Sequence, residues 1–461
     1  MKKNILRMSY LLLGAFCFLI LYLGYIQIIK GPELTASTQN KRLLYFEKSI
    51  HRGGIYDRSG EVLAYSEKEG SRKRVYPKGA FTAPVIGFIS ERYGRSGIES
   101  AADRYLLGIT TGGRFDKFIS RISNKDLKGY DLVLTLDASI QELAMNLLGQ
   151  RKGAVVVLNP QNGDVLALAS SPTFDPSQID AQWSNLSKNP DSPLLNRATQ
   201  GAYPPGSTFK IITEAAALTD SSEVAGRDFN CPGYLSINGF KLKDNAVHGR
   251  IDLTEALAVS CNTTFAELGL TLGDKKLVNG AKAFGFGQDP GLEIPVRVST
   301  ISSGKELAGA KLAATAIGQG EVLASPLQMA LAAAAVANNG IIMKPHLISE
   351  VRDGAGNVIY RYKTGEWLNA VTRPVAEEIK RGMEEAVTAG TAKKAAINGI
   401  RVAGKTGSAE NPNGPTHAWF IGFAPVENPK LAVAVIVENA GSGGNVAAPV
   451  ARDIISAFVS D

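Results

Sequence analysis

From Met8 to Ile29 the chain runs for 22 residues without a charged side chain, and only Ser9 and Gln27 are clearly polar. Coiled as a helix at roughly 1.5 Å per residue, that run is about 33 Å long, enough for the ~30 Å hydrocarbon core of a bilayer. It divides the chain between compartments before any other residue is considered. Lys2, Lys3 and Arg7 precede it, and a basic leader stays cytoplasmic, so everything after Lys30 is expected outside the cytoplasm. Tyr10, Tyr22 and Tyr25 suit the two interfaces. The competing reading is a cleaved signal peptide. The length of the apolar core and the sequence Ile26-Gln-Ile-Ile-Lys30, which lacks a small-x-small cleavage pattern, favour an uncleaved anchor, and Phe16 before Cys17 does not fit a lipoprotein box.

Behind such an anchor, 461 residues with 44% hydrophobic and 20% charged side chains suffice for two folded units. The net charge of +7 is spread without a dense Lys/Arg run, so no nucleic-acid partner is expected. Of the three cysteines, Cys17 lies in the apolar run; Cys231 and Cys261 read as two small buried thiols, or as a pair if the fold brings them together. His51, His248, His346 and His417 are scattered, and neither they nor the cysteines show metal-ligand spacing. Neither a metal nor a cofactor is expected.

Texture sets the domain boundaries at 1–30 for tail and anchor, 31–150 for a small pedestal, and 151–461 for the main domain. In the pedestal, Ile55 to Leu63 reads as a hairpin around an Asp-Arg-Ser-Gly turn with Gly60 left-handed, and Asp131 to Asp137 as a strand followed by a helix from about Ala138 to Leu148. At Gly153 two apolar strands begin, Gly153–Leu158 and Val165–Ser170. Further strands are expected at Arg401–Ser408, His417–Phe423 and Leu431–Val437, with an alanine-rich helical section between and a last helix from about Val446 to Phe458. The fold class is therefore α/β in the α+β sense: one sheet assembled from distant segments with a helical lobe inserted.

The chemistry centres on Tyr203-Pro-Pro-Gly-Ser-Thr-Phe-Lys210. Positions i and i+3 share a helix face, so a serine at a helix start has the Lys210 amine within reach as a base for the Ser207 hydroxyl. Ser302 and Lys305 repeat the spacing without the Pro-Pro-Gly corner, so the pair alone decides little. Ser260-Cys-Asn262 follows between two helical patterns, and Lys405-Thr-Gly-Ser408 stands on a strand with Gly404 and Gly407 allowing close approach. The ordered set Ser-x-x-Lys, Ser-x-Asn, Lys-Thr-Gly marks penicillin-reactive serine acyltransferases. In that reading burial and the nearby Lys405 cation depress the Lys210 pKa. Ser260 relays a proton to the leaving amine, and Asn262 holds Ser260, Lys210 or a substrate carbonyl. The backbone N–H groups of Ser207 and Ser408 form the oxyanion hole, and Lys405, Thr406 and Ser408, with Gly407 between them, suit a terminal carboxylate.

On these motifs the chain resembles the class B penicillin-binding proteins, monofunctional peptidoglycan D,D-transpeptidases. The likeness extends to Arg52 through Ala64, Gly97-Ile-Glu99 and Leu134-Thr-Leu-Asp137 in the pedestal. It continues through Ile317-Gly-Gln-Gly320, Ser325 to Met329, and Trp419 to Pro425 in the main domain. The resemblance implies a penicillin-binding/β-lactamase-like fold on a membrane-anchored pedestal. It also implies that Ser207 attacks the D-Ala-D-Ala end of a peptidoglycan stem peptide, that a second stem resolves the acyl-enzyme, and that β-lactams acylate the same serine. A multi-spanning SEDS-type glycan polymerase is the implied partner, since 31–150 is too short to polymerise glycan. The rival readings are a β-lactamase or D,D-carboxypeptidase, which uses water as acceptor, and a non-catalytic penicillin-binding scaffold or sensor. Glu293, in a Gly-Leu-Glu-Ile-Pro segment, reads as structural rather than as a deacylating base.

Overall fold

The computed structural model describes residues 2–26, 50–67, 73–109, 127–302, 304, 306–411 and 414–460. The last residues of the expected span, the first of the expected pedestal, and Lys305 lie outside this set. Lys2–Tyr25 is one helix, exposed along its length and long and apolar enough to cross a membrane once.

Two sheets organise the remainder. The larger mixed sheet has six strands in the order Val358–Arg361, Ile348–Arg352, Asp131–Leu134, Ile55–Tyr56, Val62–Ser66, Arg74–Val75. The expected hairpin is present, with Gly60 at φ 94° in its turn. Asp131–Leu134 pairs parallel with Ile55–Tyr56 on one side and antiparallel with Ile348–Arg352 on the other. Segments from both sides of residue 150 therefore share one sheet. Sequence-local patterning carries no information on this pairing, because the partners are over 200 residues apart.

The second sheet is antiparallel throughout, in the order Val165–Ser171, Gly153–Leu158, Leu431–Val437, Gly414–Ala424, Ala403–Asn411. Its central strands are buried on both faces, which explains their unbroken apolar runs. Successive side chains alternate between two cores. Ala154, Val156, Leu158, Ala432, Ala434 and Ile436 face one, while Val155, Val157, Val433 and Val435 face the other. The first core is closed by Pro326–Ala337, a helix buried at all of its residues, with Ser325 as N-cap accepting from Gln328 N at 3.1 Å. The second is closed by Gly443–Ser460 and by Ala138–Leu148, whose Ile140, Ala144 and Leu148 pack there. The helix grouped by sequence with the pedestal thus lies on the main sheet. Asp137 starts it, accepting from Ser139 N and Ile140 N at 3.2 Å each. Ala403–Asn411 is an edge strand, and its unpaired edge faces the turn that carries Ser207.

Candidate active site

Ser207 sits in a 3-10 turn, Gly206–Phe209, and Lys210 opens the α-helix Lys210–Asp220. The pair therefore spans a turn-to-helix junction rather than one helix face. The turn is clamped from three sides. Trp419 Nε1 donates to Pro204 O at 3.0 Å; Tyr203 exchanges backbone hydrogen bonds with Ala324 at 2.8 and 3.0 Å; Gly206 N donates to Gly318 O at 2.9 Å. Gly206 has φ 54°, and a β-carbon there would lie 3.2 Å from the backbone of Ser408 and Ala409. Only glycine lets the catalytic turn press this closely on the edge strand.

The Lys210 amine is fully buried and does not bond the Ser207 hydroxyl. It donates to Ser260 O at 2.6 Å and Asn262 Oδ1 at 2.7 Å, and lies 3.2 Å from Ser260 Oγ. Of the partners open to Asn262, its oxygen takes Lys210, and its Nδ2 donates to Lys243 O at 3.3 Å. Ser260 adopts φ 62°, a left-handed conformation that costs a non-glycine residue on the order of 1–3 kcal/mol. It falls between the helices Leu253–Ala258 and Asn262–Ala283, with its carbonyl on the Lys210 amine. The strain is spent on aiming that carbonyl.

Lys405 is also fully buried, and its amine donates to Thr406 O at 3.1 Å. Strand register puts Lys405 opposite Ile421, on the face of the helical lobe, and Thr406 opposite Phe420 on the other face. Thr406 Oγ1 accordingly donates to Thr391 Oγ1 at 2.8 Å, and Thr391 reaches Ala258 O at 3.4 Å in the helix before Ser260. Ser408 is exposed, its Oγ accepting from Gly443 N at 3.4 Å, and Gly407 is buried against Pro205 O. Lys210, Ser260 and Asn262 are thus hydrogen-bonded together and the strand carrying Lys405 to Ser408 packs against the turn carrying Ser207, but Thr406 donates its hydroxyl to Thr391 on the other face.

Burial pushes the Lys210 pKa down to about 7, against the opposing pull of Asp244 and Cys261. Lys405 is held well below the ordinary lysine value, first by burial and then by repulsion from Lys210. Of the two causes expected for the low Lys210 value, burial is the one at work there, while the charge repulsion between the two lysines falls on Lys405. Two ammonium groups in one dry site cannot both keep their protons cheaply.

Three participants are given no role by sequence reasoning, although Gln319 lies in the motif Ile317-Gly-Gln-Gly320. Glu214, one turn beyond Lys210, is fully buried with neither carboxylate oxygen hydrogen-bonded among the described residues. Burial, then Glu378, raises its pKa well above the usual range, with Lys405 pulling the other way. Its signal was an acid on the apolar face of a buried helix. Thr391 links the Lys-Thr-Gly strand to the Ser260 helix, and Gln319 bridges Ser408 O and Glu410 N at 3.4 and 3.3 Å. Both sit beside glycines in short irregular segments, where periodicity is silent. The two thiols are indeed buried and free, and Cys231 and Cys261 also lie with Asp244 and His248 in one cluster that linear spacing did not suggest.

Residues 153–456 match the model of the penicillin binding protein transpeptidase domain, and residues 52–132 that of the penicillin binding protein A dimerisation domain. Peptidoglycan D,D-transpeptidase PbpA of Mycolicibacterium smegmatis is 36% identical over 100% of both chains. Penicillin-binding protein A from Mycobacterium tuberculosis, solved as a ceftriaxone acyl-enzyme complex, superposes with a TM-score of 0.83 at 35% identity, covering 89% of this chain and 99% of that one. Penicillin-binding protein 2 of Pseudomonas aeruginosa gives a TM-score of 0.78 at 30% identity, over 90% and 96%. The chain belongs to the penicillin-binding protein transpeptidase family.

Proposed function

We propose that this protein is a peptidoglycan D,D-transpeptidase that cross-links stem peptides through an acyl-enzyme on Ser207 and is acylated at the same serine by β-lactams. The observation that carries the reading is the Lys210 amine: dry, near neutrality, and held by Ser260 and Asn262 beside the Ser207 turn. A relative named as a D,D-transpeptidase and a neighbour solved as a β-lactam acyl-enzyme support it.

In this mechanism Ser207 Oγ attacks the carbonyl of the penultimate D-Ala while its proton passes to neutral Lys210. The N–H groups of Ser207 and Ser408 stabilise the oxyanion, each such donor being worth about 2.7–4 kcal/mol in other enzymes. Ser260, in contact with Lys210, returns the proton to the nitrogen of the departing D-Ala. The acceptor amine then attacks the ester, and the same relay runs in reverse. Lys405 orients the substrate carboxylate with Ser408, Gly407 leaving room for it, while Thr406 joins only after releasing Thr391. Glu293 accepts from Leu347 N and Ile348 N at 2.8 and 3.0 Å, which supports reading it as a structural residue rather than a deacylating base.

The N-terminal helix anchors the chain with its leader in the cytoplasm and the cleft outside. Residues 31–134 act as pedestal, the helix Ala138–Leu148 belonging with the main domain, and anchor plus pedestal dock a SEDS-type glycan polymerase. The test is peptide mapping after labelled penicillin. A slowly hydrolysed adduct on Ser207 that disappears in Ser207→Ala is expected; an adduct elsewhere, or none, refutes the nucleophile. Rapid penicillin turnover without cross-linked product in the presence of polymerase and lipid-linked precursor would favour the hydrolase.

A further inference from the structure

A hairpin that the acyl-transfer chemistry does not use borders the cleft. Tyr234–Ile237 and Phe240–Lys243 pair antiparallel around Asn238-Gly239, both at positive φ, 48° and 85°, the turn that two-residue hairpins favour. Side chains alternate across it. Ile237 and Leu242, with Leu235, turn inward and pack against Ala266 and Ala313, which stand on the helices Asn262–Ala283 and Gly309–Ala316. Tyr234, Ser236, Lys241 and Lys243 take the other face and are exposed. The end of the hairpin is tied to the catalytic site: Asn262, whose side-chain oxygen holds Lys210, donates through Nδ2 to Lys243 O at 3.3 Å.

The outward face differs from a merely solvated one in two respects. A solvated strand pair gains from opposite charges across the ladder, but register sets Tyr234 opposite Lys243 and Ser236 opposite Lys241. The carboxylates of the adjoining segments are engaged elsewhere: Asp228 pairs with Arg250, Glu267 with Arg227, and the Asp244 side chain is buried and accepts from Thr263 N. The two cations therefore stand side by side without compensation. In addition, Lys241 Nζ lies 3.8 Å from the centre of the Tyr234 ring, so an aromatic side chain supports a cation in the open.

A stem peptide supplies the missing anion. In the proposed reaction its terminal carboxylate goes to the strand Ala403–Asn411 and its scissile carbonyl to Ser207. From the strand, contacts run one way: Gly206 meets Ser408 and Ala409, Lys210 meets Asn262, and Asn262 meets Lys243. The upstream part of the stem leaves along that line. Lys241 stands two residues, roughly 7 Å, beyond Lys243, and an extended peptide advances by about the same step, so a carboxylate two or three residues before the scissile bond comes within reach of these amines.

We propose that the outward face of this hairpin, through Lys241 and Lys243 with Tyr234 beneath Lys241, selects stem peptides that carry a free carboxylate upstream of the D-Ala-D-Ala end over those in which it is amidated. The proposal rests on the acyl-transfer reading of the cleft. It gives the two lysines a part in choosing the substrate and none in the proton transfers.

The full-length chain in detergent is given two synthetic acyl donors ending in D-alanyl-thiolactate. They differ only two residues upstream, where one bears a glutamate carboxylate and the other its amide. Acylation of Ser207 breaks the thioester and frees the thiol, which is measured. The readout is the ratio of the two kcat/KM values within each variant, so a partial loss of folded protein cancels. The wild type is expected to prefer the acidic donor by about 4–25-fold, through KM, with the preference shrinking as salt is added. Lys241→Gln and Lys243→Gln should each cut the ratio about two- to fivefold, the range of an exposed ion pair, and together bring it close to unity. Glutamate at both positions should invert it. A wild-type ratio near unity, a ratio that the double glutamine variant leaves unchanged, or a preference that resides in kcat and ignores salt overturns the proposal while the acyl-transfer reading stands. A wild type that reacts with neither donor nor with labelled penicillin overturns that reading and the proposal with it.

Discussion

Two buried glutamates, both fully enclosed, meet opposite fates. In the pedestal, Glu99 accepts from Arg52 Nε at 2.8 Å and Arg74 Nε at 2.6 Å, while Arg52 also reaches Asp103 at 2.6 Å. Its burial would raise the pKa, but the two guanidinium groups more than offset that and hold the carboxylate charged. In the main domain, Glu214 has no hydrogen-bonded partner among the described residues, and burial drives it toward the neutral acid. The pedestal compensates its charges and gains a fixed register; the catalytic region leaves its own uncompensated, which pushes Glu214 toward the neutral acid and brings Lys210 near neutrality.

Experiments can break this contrast at either end. The largest effect is expected for Lys210→Arg, which keeps a cation but removes a base. Acylation by labelled penicillin should fall by about 10^2–10^4-fold, and retained acylation would refute Lys210 as base. Next comes Glu99→Gln, which strands Arg52 and Arg74. Denaturant unfolding should show a loss of about 3–5 kcal/mol, with acylation per folded molecule nearly unchanged; a loss below about 1 kcal/mol would show that the pedestal cluster is not compensated as argued.

A third effect is on the pH profile. With Lys210 near 7, acylation should fall about tenfold per unit below that value and level off above it. Lys210 is lowered on folding, so the unfolded chain binds more protons between the folded and unfolded values, and stability from this group rises with pH across that window. The smallest effect is expected for Glu214→Gln in buffer below pH 4.5, where the wild-type side chain is the neutral acid both folded and unfolded and the glutamine copies it; stability should change by under about 1 kcal/mol. Because the folded pKa of Glu214 is raised above 4.5, its contribution is intact below that value and lost as pH climbs through the folded one. The glutamine variant should therefore be the more stable of the two in alkaline buffer; the reverse order would mean that Glu214 is ionised in the folded state.

Much of this was legible in the sequence because it is local. The central strands announced themselves as unbroken apolar runs, and the helix Ala138–Leu148 was expected at about those bounds from its periodicity, while its Asp137 cap was read as the end of the strand before it. The motif residues were readable because serine, lysine and asparagine at fixed short offsets are chemistry rather than packing. What stayed hidden depends on pairings between distant segments. Nothing near Ile348 says that it lies beside Leu134, nothing near Glu214 says that its surroundings include a second lysine, and the spacing of Cys231, Asp244, His248 and Cys261 resembles no ligand pattern until two strands and a loop fold over one another. The hydrogen bonds of the Lys210 amine were foreseen in part for a related reason: Asn262 was among the partners named for it, whereas the Ser260 carbonyl, turned by left-handed backbone, follows from no local pattern.

The strand Ile348–Arg352, lodged between Asp131–Leu134 and Val358–Arg361, bears on how this protein can be cut. A soluble fragment begun at residue 151 would keep the whole catalytic cleft yet lose the strand that covers one edge of Ile348–Arg352. The remaining hairpin would present a row of open N–H and C=O groups to any passing chain, the usual route to aggregation. The shortest well-behaved fragment without the N-terminal helix therefore begins before Ile55, and the pedestal is, in effect, the catalytic part's own edge protection.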